Sequence, residues 1–95
     1  MTRQAKPIAN PKMMLREEFD DWAILFDPDT ADPFGLNPIC VFIWKRLDGR
    51  HTIDDILTEL RKAFRNVPVE ADKHVEAFVA DLLSKGLAGV EYQKA

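Results

Sequence analysis

The sequence has little of what several large protein classes require. It contains a single cysteine, Cys40, among 95 residues, which excludes an internal disulfide. It has no run of the roughly 18 apolar residues that a membrane-spanning helix needs, and its first twelve residues lack the apolar segment of a secretory signal peptide. We therefore expect a cytoplasmic protein that does not bind a membrane.

Surplus positive charge is also missing. The chain has 13 Lys and Arg residues against 16 Asp and Glu residues, for a formal net charge of -3. Phosphate neutralisation needs a surplus of Lys and Arg on one face, so a general nucleic-acid binder is disfavoured. What is present is a globular composition, 46% apolar and 31% charged. A chain of this length supports one hydrophobic core, and therefore one domain.

Residues 1–12 differ in composition from the rest of the chain. They contain Pro7 and Pro11 among small and polar neighbours, and such a segment buries little apolar surface. We expect a flexible N-terminal arm over 1–12, a folded domain over 13–90 and a C-terminal tail over 91–95.

The first half of the domain has the pattern of three strands. Met13 to Phe19 alternates apolar and charged side chains, and Trp22 to Phe26 is apolar on both faces, as in a doubly covered central strand. Asp20-Asp21 would connect these two strands as a hairpin. The turn sequence at residues 27–30 then leads to a third short strand over 32–36.

The second half has the pattern of helices with clear start signals. Asn37-Pro38 combines a preferred cap with a proline preformed for the first helical position, and Asp48-Gly49 would end this helix. Thr52 and Asp55 form the pattern of a capping box at the start of a second helix.

A third helix is predicted over residues 70–85, with apolar residues at helical spacing. Gly86 would end it in the left-handed conformation, which would bring Leu87 against Leu82. The sequence therefore predicts an α+β fold that is winged-helix-like, with a three-stranded antiparallel sheet followed by a three-helix bundle.

Candidate catalytic groups do not form a set. Cys40 lies in an apolar helix, and neither His51 nor His74 belongs to a paired-ligand motif. The acidic loop between Asp27 and Pro38 lacks the glycine and glutamate that a calcium-binding loop needs. We therefore expect no metal, no cofactor and no catalysis.

Winged-helix domains most often bind DNA through one helix, so DNA binding is an alternative function. The third predicted helix has four acidic residues against Lys73 and Lys85, and this balance would be repelled by phosphate. Lys45, Arg46 and Arg50 form a small basic patch near the end of the first helix. We interpret that patch as a docking surface for a protein partner.

One series of short motifs resembles the central motif of the PqqD-like family. The motifs, in order, are Leu36-Asn37, Ile43-Trp44, Leu47-Asp48-Gly49, Thr52-Ile53 and Asp55-Ile56. The similarity extends from about Met14 to Gly89. It includes the strand segment Arg16-Glu17-Glu18 and the helix end Leu83-Ser84-Lys85-Gly86-Leu87.

This resemblance implies a function without catalysis. The family consists of small domains that bind the leader of a ribosomally made precursor peptide and present it to a modifying enzyme, typically a radical S-adenosylmethionine enzyme. The leader would add as a strand along the third strand and lie against the third helix. The peptide-binding residues that the resemblance implies are Asp32, Pro33, Phe34, Gly35, Leu36, Lys73, His74, Ala77 and Asp81.

Pro33 and Gly35 depart from the strand-favouring residues usual in the family. Prolines in sheets usually direct the position of the missing N–H outward, so Ala31, Pro33 and Gly35 would share the outward side, and the leader would lose one hydrogen bond. Phe34 would pack mainly in the core, with Ala77 as the floor of a pocket. A purely structural subunit of an enzyme remains an alternative, and exposed strand edges leave dimerisation open.

Overall fold

The computed structural model describes residues 5–30 and 33–90. The elements are β1 (Pro7–Ala9), β2 (Met14–Glu17), β3 (Ala23–Phe26), β4 (Pro33–Leu36), α1 (Pro38–Trp44), α2 (Ile53–Ala63), α3 (Ala71–Ser84) and β5 (Ala88–Val90). β2, β3 and β4 form an antiparallel sheet in that order. The predicted α+β class, with a three-stranded sheet and three helices, is confirmed. None of the helices in the described ranges is long and apolar enough to cross a bilayer.

The sheet is covered by helices on one face only. Ala23, Leu25 and Leu36 are buried on this inner face, whereas Ile24 and Phe26 on the outer face are only half-buried. β3 is central in the pairing order, as predicted, but the expectation that it is doubly covered is wrong. The three helices all follow the sheet in the chain and pack on the same side, so nothing in the described residues covers the outer face to the same extent.

The β2–β3 connection is made by Asp20 and Asp21, whose φ angles are 55° and 63°. Asp tolerates this left-handed region better than most residues, since its short side chain can bond locally. The predicted hairpin is confirmed. Phe19, predicted to be the last residue of the alternating first strand, lies in this turn instead and is 77% exposed.

The predicted helix starts are confirmed. The Asn37 side chain accepts a hydrogen bond from the Cys40 N–H at 2.8 Å. Thr52 and Asp55 bond reciprocally as a capping box. The first helix ends earlier than expected, at Trp44. The chain then tightens into i to i+3 bonds, with the Leu47 N–H donating to the Trp44 carbonyl at 3.1 Å.

The core lies between α2, α3 and the inner face of the sheet. Ile53, Ile56 and Leu60 of α2 pack with Val75 and Val79 of α3, and all five are buried almost completely. Fully burying an aliphatic side chain of this size contributes about 1.5 to 3 kcal/mol. This packing fixes α3 relative to the sheet and therefore sets the shape of the cleft between them.

The region expected to be a flexible arm contains a strand. β1 pairs with β5, and Pro7 is fully buried. On its other side, Ala9 N–H donates to the Leu47 carbonyl at 2.7 Å and Gly49 N–H donates to the Pro7 carbonyl at 3.1 Å. Residues 7–9 are therefore held because they satisfy main-chain groups of two neighbouring segments. Residues 1–4 and the predicted tail over 91–95 lie outside the described residues.

The end of α3 leads to the first testable prediction. Gly86 has a φ of +75°, and the Leu87 N–H donates to the Leu82 carbonyl at 2.9 Å, as expected for a Schellman ending. Gly86→Ala should lower the free energy of unfolding by about 1 kcal/mol, because its Cβ meets no atom and only the backbone is strained. Gly89→Ala is the matched control and should change it by less than about 0.5 kcal/mol. Equal losses in urea unfolding would contradict this assignment.

Candidate peptide-binding groove

β4 is an edge strand, and the hydrogen-bonding direction of its residues follows from the hairpin before it. Glu18 N–H donates to the Trp22 carbonyl at 2.7 Å, which makes residues 18 and 22 a hydrogen-bonded pair. Such pairs alternate along an antiparallel ladder. The even-numbered residues of β3 therefore bond to β2, and the odd-numbered residues bond to β4.

The open side of β4 carries main-chain groups that pair with no strand of the described residues. Phe34 and Leu36 lie opposite the odd-numbered residues of β3 and bond to them. Pro33 and Gly35 therefore direct their main-chain groups outward, on the parity expected from the sequence. Ala31, which was expected to share this side, lies outside the described residues. The edge offers one donor, the Gly35 N–H, and two acceptors, the carbonyls of Pro33 and Gly35.

A groove of about 360 Å³ runs between this edge and α3. β4 contributes all four of its residues, and Leu87 lies at the end of the groove. α3 contributes Phe78, Asp81 and Leu82, and Lys85 follows directly after the helix. Since Leu36, Leu82 and Leu87 are buried and Phe34 and Phe78 are half-buried, the groove is apolar at its base. An extended peptide paired with β4 would place alternate side chains over this base.

Two charged side chains form the rim of the groove on α3. Lys85 Nζ lies 2.9 Å from Asp81 Oδ2, and the same ammonium lies 5.3 Å from the centre of the Phe34 ring. Both charged side chains are about half exposed, so their mutual attraction is weak and is screened by salt. A guest peptide can therefore exchange this pair for its own charged groups at little cost.

The structure brings together only part of the predicted binding set. Pro33, Phe34, Gly35, Leu36 and Asp81 line one groove. The other helix residues lie elsewhere, and Asp32 is outside the described residues. Lys73 and Ala77 are exposed on α3 away from the groove, and His74 borders a second cavity of about 280 Å³.

Four groove residues are absent from the predicted binding set. Phe78 and Leu82 belong to the apolar spacing of α3, and Lys85 and Leu87 lie just after its end. Phe78 borders both cavities, and the floor is formed by these apolar residues rather than by Ala77. Helical periodicity gives a buried stripe, but it does not say where that stripe meets the sheet.

The predicted basic docking patch is largely engaged within the chain. Lys45 forms an ion pair with Glu17 of β2. Arg46 Nε lies 3.0 Å from Glu59 Oε1, and its guanidinium carbon lies 3.4 Å from the centre of the Phe42 ring. Arg50 is exposed in the turn before α2. Arg46 therefore connects α1 to α2.

His51 belongs to the same network. Its Nδ1 lies 2.9 Å from Asp48 Oδ1 and its Nε2 lies 2.8 Å from Glu59 Oε2. The hydrogen bond to Asp48 raises the pKa of His51, and the same bond lowers the pKa of Asp48. With Arg46 on Glu59, this network joins the end of α1, the following turn and α2.

Cys40, the candidate nucleophile, is not activated. Burial raises the pKa of the Cys40 thiol, which is the reverse of what a nucleophilic thiolate needs. Within residues 5–30 and 33–90, no three side chains among His, Cys, Asp and Glu are grouped as metal ligands.

Comparison with known proteins identifies both a family and a fold. The family model described as coenzyme PQQ synthesis protein D (PqqD) matches residues 23–88. No curated protein matches the chain significantly. TbiB1 in complex with the TbiA(beta) leader peptide is a similar solved structure, at 18% identity and a TM-score of 0.68, covering 93% of this chain and 99% of that one.

Two further structures have the same fold. Lasso peptide synthetase B1 complexed with the leader peptide is 22% identical, with a TM-score of 0.72, covering 90% of this chain and 99% of that one. The heterocyclase TruD is 15% identical, with a TM-score of 0.64. The match covers 96% of this chain and only 12% of TruD, so the fold also occurs within a much longer chain.

The His51 network gives a pH-dependent prediction. The pKa of His51 is raised on folding. Its contribution to the free energy of unfolding is therefore complete below the unfolded-state pKa of about 6.5, and it is lost as pH rises through the folded-state pKa. The pKa of Asp48 is lowered on folding, so the contribution of Asp48 to the free energy of unfolding is lost only in acid. His51→Gln should therefore destabilise the protein more at about pH 5.5 than at about pH 8.5.

Urea unfolding at the two pH values measures this difference. The same substitution in an Asp48→Asn background is the control, because the carboxylate is the largest cause of the His51 shift. The pH difference should shrink in that background. A loss from His51→Gln that is the same at both pH values would show that the network does not stabilise the fold as described.

Proposed function

The chain belongs to the PqqD family, and from this premise we propose that it binds the leader of a ribosomally synthesised precursor peptide and presents it to a modifying enzyme. In this role the chain itself is not a catalyst. The observation that carries the proposal is the edge of β4, which no described strand covers, beside an apolar groove. We place this function in the cytoplasm, where ribosomes supply the precursor.

Binding would occur by strand addition to β4. In an antiparallel arrangement, one leader residue exchanges two hydrogen bonds with Gly35, and the residue two positions further on donates to the Pro33 carbonyl. Pro33 returns no bond, because it lacks an N–H. Three main-chain bonds are therefore available along residues 33–36, and the leader register is fixed by the single N–H of Gly35.

Main-chain bonds alone do not give a stable complex. Each contributes about 0.5 to 1.5 kcal/mol net, while micromolar affinity requires about 8 kcal/mol and association costs rotational and translational entropy as well. Apolar leader side chains must therefore enter the groove over Phe34, Phe78 and Leu82. Because side chains alternate along a strand, we expect two apolar leader residues spaced two apart.

The relatives support the same partner. TbiB1 and lasso peptide synthetase B1 have both been solved with leader peptides. The family resemblance makes a radical S-adenosylmethionine enzyme the modifying partner that we propose. Its iron-sulfur chemistry would belong to the enzyme, and this chain would supply the bound and oriented leader.

The donor of Gly35 allows a sharp test of strand addition. Gly35→Pro removes the outward N–H and leaves the ladder to β3 intact, and Phe34 is already extended, as a residue before proline must be. The variant should bind the leader about tenfold more weakly in calorimetry. Gly35→Ala is the matched control and should bind as the wild type does, because its Cβ meets no atom within 4 Å.

Unchanged affinity in Gly35→Pro would mean that strand addition is wrong. A wild-type protein that binds the modifying enzyme tightly but binds no leader would instead identify a purely structural subunit.

The leader side of the same contact gives an independent prediction. A leader with proline in the centre of its strand segment should lose binding to the wild-type protein, because the substituted residue cannot donate to the edge. An alanine at the same leader position serves as the control for the lost side chain. Calorimetry with both peptides separates the two effects, and equal binding by both would refute main-chain pairing.

A further inference from the structure

Exposed apolar side chains are concentrated on the β2–β3 hairpin. Among the described residues, three of the six large hydrophobic side chains that are exposed lie between residues 14 and 22. Met14 is 52% exposed, Phe19 is 77% exposed and Trp22 is 51% exposed. Clustered exposure of this kind, unlike scattered single residues, marks an interaction surface.

The pairing register places Met14 and Trp22 on one surface of the sheet. Met14, Phe26 and Pro33 lie side by side across the three strands. Ile24 and Trp22 continue the same face toward the hairpin tip, and Arg16, the partner of Ile24, also lies on it. This outer face, defined here by Met14, Arg16, Trp22, Ile24, Phe26 and Pro33, is on the opposite side of the sheet from the helices.

The size of the outer face limits what it can hold by itself. Three strands of four residues span roughly 200 Å², whereas a stable interface buries about 800 Å² on each partner. Any partner docked on this face alone, a second copy included, would therefore bind weakly. Stable docking needs a partner that also covers the hairpin tip and a peptide bound at the β4 edge.

The charge at the hairpin tip indicates which kind of partner surface would fit. Glu18, Asp20 and Asp21 are exposed beside Trp22 and Phe19, and Arg16 lies 3.7 Å from Glu18. The tip therefore carries excess negative charge. A complementary surface would have an apolar centre bordered by Lys or Arg side chains, which would steer association and make it dependent on salt.

We propose that the outer face of the β2–β3–β4 sheet, together with the hairpin tip, is the surface on which the peptide-modifying enzyme docks. This inference rests on the proposed function, since it specifies where the enzyme of that function binds. The occurrence of the same fold within the long chain of the heterocyclase TruD supports an enzyme as the neighbour of such a domain.

The same geometry couples the enzyme to the leader. A leader strand added to β4 extends the sheet by about 4.8 Å, and its side chains that point away from the groove join the outer face. The enzyme then contacts both the chain and its guest. Leader binding should raise the affinity for the enzyme, and the enzyme should raise the affinity for the leader by the same factor.

The experiment measures binding of the modifying enzyme encoded beside this gene, with the leader present. Met14→Thr combined with Trp22→Thr should weaken enzyme binding at least about tenfold, as expected for the centre of an interface, and should leave leader binding unchanged. Val69→Thr is the matched control, because Val69 is 86% exposed in the loop before α3, away from the outer face. It should change neither affinity.

A second pair of variants tests the charge. Asp20→Asn with Asp21→Asn keeps residues that accept positive φ, so the turn is retained. This double variant should weaken enzyme binding at low salt and flatten its salt dependence. Thermal melting of each variant shows whether the fold is intact, and an intact fold with unchanged enzyme affinity overturns the proposal.

Other outcomes also decide the matter. Loss of enzyme binding in Arg50→Ala, with the outer-face variants unaffected, would place the docking surface at the basic patch instead. Sedimentation showing that the wild type dimerises and that Met14→Thr with Trp22→Thr makes it monomeric would assign the face to a second copy. A wild type that binds no leader at all would refute the proposed function itself, whereas the preceding results refute only the docking surface.

Discussion

Three main-chain groups on the open side of β4, which pair with none of the described strands, are the constraint on which the rest depends. Buried main-chain groups must be paired, so an edge can stay open only where water or a guest reaches it. β4 is short, and Pro33 removes one of its outward donors. These features limit uncontrolled pairing with other chains while leaving the Gly35 N–H and two carbonyls accessible. The edge is therefore protected without being closed.

The elements around β4 hold α3 at the distance that makes a groove. Asn37 caps α1 directly after the strand, so the chain leaves the edge at once. The buried side chains of α2 fix α3, and the Gly86 turn directs Leu87 back to the end of the groove. β1 and β5 then tie both ends of the described chain to the turn after α1. The packing of the core therefore keeps the groove open, although the residues on its two sides make few contacts with each other.

Local signals were sufficient to predict much of this arrangement. The caps at Asn37 and Thr52 and the glycine ending at Gly86 act through neighbours within a few residues, so their chemistry is visible in the sequence. β1 and β5 have three residues each, too few to show an alternating pattern. Their pairing links positions about 80 residues apart, and only the folded chain brings them together.

Only some of the residues that line the candidate groove could be predicted from the sequence. The parity of Pro33 and Gly35 follows from the missing proline N–H, which is a local property. The choice of Ala77 instead of Phe78 and Lys85 depended on the rotation of α3 about its axis, which side-chain packing across the core determines. Lys45 and Arg46 likewise form ion pairs with residues distant in sequence. The sequence of the basic patch therefore does not show that two of its three charges are already paired within the chain.

Amide hydrogen exchange at Gly35 tests the central claim most directly. In the free protein the amides of Phe34 and Leu36 should be protected by β3, and the Gly35 amide should exchange rapidly. Addition of the leader should slow exchange at Gly35 in particular. A leader that binds while the Gly35 amide keeps exchanging at its free rate would contradict the account.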